Sequence, residues 1–139
     1  MSDRNGIGAS LGNLGNAYRS LEDYRQAISY YQESLKIAKE IENCNGKANS
    51  LMGLGNSFSS LEDYQEAINY YQESLKIFQQ IGDRHGEAIA WFNLGLTYKK
   101  LKQKVGANIA YENARNLYQA MGLDKKVEDC NEEIQSLEV

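Results

Sequence analysis

The chain has 139 residues, a net charge of −4 and a sequence pI near 5.1. That is enough for one domain with a real core, and the acidic balance excludes a general nucleic-acid binder. No stretch approaches the roughly 18 apolar residues a membrane span needs, the N-terminus lacks the apolar core of a signal peptide, and the absence of proline leaves no helix broken by ring geometry.

In chain order, Leu11, Leu14, Gly15 and Tyr18 fall at i, i+3, i+4 and i+7 and predict a first amphipathic helix. Leu21-Glu22-Asp23-Tyr24 reads as a short polar turn, its paired carboxylates as helix-start chemistry. A second helix follows through Ala27, Ile28, Tyr31, Leu35 and Ala38. Asn43-Cys44-Asn45-Gly46 then supplies a connection, after which the sequence starts again. Residues 10–41 and 50–81 share 21 identities in 32 aligned positions, and Tyr30 to Ile37 recurs letter for letter as Tyr70 to Ile77. After the connector Gly82-Asp83-Arg84-His85-Gly86 a third, diverged copy keeps the register: Gly15, Gly55 and Gly95 align, as do Ala27, Ala67 and Ala107, and Tyr31, Tyr71 and Tyr111. Repeats therefore run over about 6–45, 46–85 and 86–125. A fixed period of this size means stacked units, none of which buries its apolar face alone.

The last element, about 125–138, carries Val127, Cys130, Ile134 and Leu137 on one stripe, with Glu128, Asp129, Glu132 and Glu133 elsewhere. One apolar and one acidic face suit a helix that caps the last repeat. No alternating strand pattern competes, so the fold class is all-α, antiparallel helix pairs in a single domain over 1–139. Gly15 and Ala27 are expected where the two helices of a unit cross, with Tyr18 and Tyr31 filling the space beside them. A mid-helix glycine costs about 1 kcal/mol against alanine, so three at one repeat position imply a packing purpose.

Trp91-x2-Leu94-Gly95-x2-Tyr98 followed by Ala107-x3-Tyr111 resembles the tetratricopeptide repeat, and the two earlier copies keep its Leu, Gly and Ala positions. The closing proline is missing and the period is 40 rather than 34. The longer unit, with Leu-Gly-Asn inside the first helix, looks like the repeats of G-protein-signalling-modulator adaptors, kinesin light chains and bacterial multidomain signalling proteins. The resemblance implies a right-handed superhelical solenoid of three repeats plus the capping helix, a scaffold that binds peptide segments, and first helices lining a concave wall. On these helices the face away from the Leu/Tyr positions carries Ala9, Gly12, Asn16 and Arg19, then Asn49, Met52, Asn56 and Ser59, then Ile89, Phe92, Leu96 and Lys99, with Asn13 and Asn93 at its edge. Asparagine offers both a donor and an acceptor, so Asn16 and Asn56 suit the backbone of an extended peptide, and similar adaptors place asparagines there for that purpose. The expected peptide-binding groove is therefore Asn13, Asn16, Arg19, Asn49, Met52, Asn56, Phe92, Asn93, Leu96 and Lys99, ending in an apolar patch of Phe92 and Leu96.

Charge is uneven: residues 6–45 sum to −1, residues 46–85 to −2 and residues 86–125 to +3, the last mainly through Lys99, Lys100, Lys102 and Lys104. With Arg19 these favour an acidic ligand. No enzyme is expected: His85 lies in a polar connector without an acid–thiol or acid–hydroxyl partner pattern. The glycines recur at helix crossings and connectors rather than in a phosphate loop. Cys44 and Cys130 make no metal-ligand spacing and read as free thiols of a reducing, cytoplasmic setting, so no metal and no cofactor is expected. The expected partner is a protein or peptide, not a nucleic acid or a membrane. The alternatives are a self-association or spacing module, and a regulatory segment of a larger signalling protein. On the first helix Ile7, Ser10, Leu14 and Ala17 correspond to Lys47, Ser50, Leu54 and Ser57, the face that meets a preceding unit. Left open, that face predicts a weak homodimer through the N-terminal helix.

Overall fold

A computed structural model describes residues 3–138, which form seven α-helices and, among the described residues, no strand. In order they are α1 (Arg4–Ser20), α2 (Tyr24–Glu40), α3 (Cys44–Ser60), α4 (Tyr64–Ile81), α5 (Arg84–Lys100), α6 (Lys104–Ala120) and α7 (Asp124–Ser136). None is long and apolar enough to cross a membrane. The chain divides into two compact units, the first ending at Ile77 and the second beginning at Phe78, so the division falls inside α4.

The connections show a period finer than the 40-residue repeat. Glu22, Glu42, Glu62, Gly82, Lys102 and Gly122 all have positive φ, between 58° and 74°. They stand 20 residues apart, one at the end of each of the first six helices. A left-handed residue there turns the chain back and lets the following amides bond the orphan carbonyls of the last turn, as Asp23 N does to Tyr18 O at 2.9 Å and Gln103 N to Tyr98 O at 2.9 Å. Only Gly82 and Gly122 take this conformation without a Cβ penalty. The Glu22-Asp23 pair thus splits its roles, which corrects the reading of both residues as helix-start groups. Asp23 accepts from Gln26 N and starts α2, whereas Glu22 ends α1. Asp3, Asn43 and Asp83 cap α1, α3 and α5 in the same way.

In the first unit α2 lies between α1 and α3. Tyr31 is 2 % exposed, and its ring rests on the backbones of Gly15 in α1 and Gly53 in α3, where an added Cβ would come within 2.5–2.8 Å of ring carbons. These two glycines are therefore close-approach positions. Ser34 Oγ donates to Gly8 O at 2.9 Å, and one repeat later Ser74 Oγ donates to Ala48 O at 2.8 Å. Tyr18 stacks on Tyr30 with centroids 5.3 Å apart, and Phe58 on Tyr70 at 5.5 Å. Leu54 is fully buried among Ala27, Tyr31 and their neighbours. Its counterpart Leu14 is 42 % exposed and Ile7 43 %. The half-exposed Leu14 and Ile7 lie on the face that the repeat register aligns with Lys47, Ser50, Leu54 and Ser57.

In the second unit Tyr118, Ala88, Ala114 and Cys130 form the buried centre, joined by Trp91, Phe92, Leu117, Met121 and Val127. Tyr111 lies against Gly95 as Tyr31 does against Gly15. Cys130 is buried and Cys44 exposed, both as free thiols.

Candidate functional site

Successive first helices of the first unit, α1 and α3, wall a groove of about 450 Å³ whose floor includes Tyr31 and Ser34 of α2. It holds six of the expected residues: Asn13, Asn16, Arg19, Asn49, Met52 and Asn56. It also holds asparagines that the sequence pattern left in connectors or at a helix start: Asn5, Asn43 and Asn45. Asn43 does two jobs, its Oδ1 accepting from Gly46 N at 2.9 Å to cap α3 and its Nδ2 donating to Asn5 Oδ1 at 3.2 Å. The signal for these was present, since a connector leading into a first helix lies beside the wall that such helices form, but the Asn-Gly chemistry also explains the turn and hid the second role.

Seven asparagines and one arginine line this groove, and no acidic side chain does. The tyrosines of the core reach up to hold two of the carboxamides. Tyr31 hydroxyl donates to Asn16 Oδ1 at 2.5 Å, and Tyr71 hydroxyl to Asn56 Oδ1 at 2.6 Å. Occupying the carbonyl oxygen fixes the amide's orientation, because only the other end then carries the two N–H donors. Burial pushes the pKa of both phenols above its ordinary value, with the positive charge of Arg19 opposing it at each. Both hydroxyls therefore remain donors across the physiological range, and Arg19 acts on each of the two Tyr–Asn pairs.

The other four expected residues, Phe92, Asn93, Leu96 and Lys99, lie in the second unit. Phe92 is half-buried, tilted against Tyr111 with centroids 5.5 Å apart. Leu96 is 37 % exposed and takes the repeat position of Asn16 and Asn56. Asn93 is half-buried, its carbonyl accepting from Thr97 Oγ1 at 2.8 Å. Lys99 is not presented to an outside ligand: its Nζ bonds Glu133 Oε2 at 2.9 Å and Ser136 Oγ at 2.8 Å. Tyr111 hydroxyl also donates to Glu133 Oε2, at 3.2 Å. Glu133 is half-buried against α6 and α5 rather than on the outer acidic face read from the sequence. The reason is positional: Leu96 has no oxygen for the Tyr111 hydroxyl, so the phenol turns to the next acceptor. Burial, then the Glu133 charge, raises the pKa of the Tyr111 phenol.

The sequence profile of the tetratricopeptide repeat matches residues 6–80 and again 46–120. The chain belongs to the tetratricopeptide repeat family. Comparison with curated protein sequences finds none that matches. Among solved structures, this tetratricopeptide chain resembles the apo form of RapI at 16 % identity and TM-score 0.90, over 99 % of the chain and 38 % of RapI. It also resembles aspartyl phosphate phosphatase F from Bacillus subtilis at 17 % and 0.85, over 99 % and 39 %, and BtubC (BKLC) from P. vanneervenii at 20 % and 0.77, over 99 % and 65 %. The tetratricopeptide chain thus spans less than two thirds of these proteins' length, and the likeness is one of fold.

Proposed function

We propose that the chain is a non-catalytic interaction scaffold whose first-unit groove holds an extended peptide segment of a partner protein. The family supports a protein-interaction module. The observation that carries the finer reading is a groove of about 450 Å³ lined by seven carboxamides and walled by two consecutive first helices. An extended peptide presents alternating N–H and C=O groups that need partners wherever water is displaced. Carboxamides supply such partners without reading side-chain identity, and Asn16 and Asn56, their oxygens held by tyrosine hydroxyls, present N–H donors to the segment's carbonyls. The lining holds no histidine, cysteine or carboxylate, so its chemistry is hydrogen bonding rather than proton transfer.

The test is the double substitution Asn16→Ala with Asn56→Ala. Each lost hydrogen bond is worth roughly 0.5–1.5 kcal/mol, so affinity for a captured peptide falls by about fivefold to a hundredfold while far-UV circular dichroism is unchanged. Unchanged affinity in a folded double variant removes the groove from consideration.

A second reading rests on the outer face of α1, where Ile7 and Leu14 are exposed while Leu54, at the matching place in α3, is fully buried. That apolar stripe favours weak self-association of the chain. Analytical ultracentrifugation in the high micromolar range is expected to show a dimer that Ile7→Lys abolishes. A dimer indifferent to Ile7→Lys sends the contact elsewhere, and a strict monomer ends this reading.

A further inference from the structure

The third copy departs from the other two along one edge of its helix pair. Where the first two copies carry Glu33 and Glu73, Lys36 and Lys76, and Glu40 and Gln80, it carries Asn113, Asn116 and Ala120. On α5, Trp91 takes the place of Leu11 and Leu51. Long side chains are thus exchanged for short ones at three places on α6, beside the chain's single tryptophan. These residues line a pocket of about 300 Å³ between α5 and α6, at the small end of the range for ligand sites.

In the first unit an ion pair occupies the same place, Arg4 donating to Glu40 across α1 and α2. Arg84, at the position of Arg4, finds Ala120 at the position of Glu40 and takes part in none of the ion pairs among the described residues. Glu87, one turn further along α5, meets no cation either, and its carboxylate accepts from a neutral donor, Gln79 Nε2, at 3.4 Å. One turn of α5 therefore brings a guanidinium and a carboxylate to the same pocket without pairing them to each other.

We propose that this pocket binds a small zwitterion, an α-amino acid with an apolar side chain. The ligand's carboxylate stands in for Glu40 on the guanidinium of Arg84, whose fork of donors matches it. The ligand's ammonium goes to Glu87, with the indole face of Trp91 beside it as a second attraction for a cation. The apolar side chain lies along Trp91 and Leu117, which are partly buried against the core of the second unit. A lone anion would meet Glu87 and a lone cation would meet Arg84, so the paired charges select against each half of the zwitterion. The site shares no residue with the groove of the first unit and stands or falls separately from it.

Trp91 is the chain's one tryptophan, so its emission reports on the pocket directly. The whole chain is titrated with L-leucine, with isocaproate, which lacks the ammonium, and with isoamylamine, which lacks the carboxylate. NMR of the Trp91 indole N–H and of the Asn113 and Asn116 side-chain amides is recorded in parallel. Leucine is expected to saturate these signals in the millimolar range, and each half-analogue to bind about fivefold or more weaker. Arg84→Gln removes the advantage of leucine over the amine, and Glu87→Gln its advantage over the acid. Ala120→Glu, which gives the second unit the carboxylate that Glu40 gives the first, abolishes leucine binding. All three variants keep wild-type circular dichroism. Absence of any saturable change in both readouts, a half-analogue that binds as tightly as leucine, or leucine binding that survives Ala120→Glu overturns the proposal.

Discussion

Leu54→Ala is expected to destabilise the fold by about 3 kcal/mol, and Leu14→Ala, the same change at the same repeat position, by less than about 1 kcal/mol. Leu54 is fully buried between α2 and its own helix pair. Truncation there removes transfer free energy and leaves a cavity in a site that aromatic rings hold open. Tyr31 cannot collapse into it, because its ring is seated on Gly15 and Gly53 and its hydroxyl is bonded to Asn16. Leu14 is 42 % exposed, so its truncation costs part of a transfer term and leaves no enclosed void. Denaturant titration of the two variants measures the contrast, and equal losses would contradict the buried–exposed distinction between the two copies.

Cys130 is expected to react with a thiol-alkylating reagent at pH 8 on the order of a hundredfold or more slowly than Cys44. Cys130 lies fully inside the second unit's core with Ala88, Ala114 and Tyr118. Burial, with the nearby Asp129 charge, pushes its thiol up to about 11 against the opposing charge of Arg115. Cys44 begins α3 and is exposed. Because the folded-state value is raised, the contribution of the protonated thiol to stability is whole below about pH 9 and is lost as pH rises to about 11. The buried phenols of Tyr71 and Tyr111, also raised, act in the same direction at higher pH still. Time-resolved labelling with mass spectrometry of the two peptides decides the point, and equal rates would mean that packing on α5 and α6 does not shield Cys130.

Helix pairing was legible because three cues agreed: a 3.6-residue apolar period, small residues at the crossings, and a 40-residue recurrence. The small-residue argument anticipated Gly15 against Tyr31. It missed Gly53 against the same ring, since Gly53 aligns with Asn13 and Asn93 and shows no recurrence. The groove was half legible. Asn16, Arg19 and Asn56 follow from helical phase alone, as does Asn5 once α1 is extended to its first turn, whereas Asn43 reaches it through cap geometry that phase does not encode. Lys99 was misread as an open cation because its partner lies 34 residues away on α7. Only the packed structure shows that Leu96, lacking an oxygen, releases the Tyr111 hydroxyl toward Glu133. Glu22 was assigned to the helix start for a related reason, glutamate being an uncommon choice for the left-handed position it occupies.

The 20-residue spacing of those left-handed positions sets how such a chain can change in length. A residue inserted within a helix rotates everything after it by about 100°. The next reversal then faces the wrong way, and its apolar positions leave the neighbouring helix. Removal of a whole period does neither. Leu21-Glu22-Asp23-Tyr24 and Leu61-Glu62-Asp63-Tyr64 are the same four letters in the same conformation, with Glu22 at φ 61° and Glu62 at φ 63°. Splicing one to the other would rebuild an existing junction atom for atom. Length in this chain is counted in whole turns-and-helices, so its genetic history is expected in steps of 40 residues and its tolerance to single-residue insertions confined to the ends.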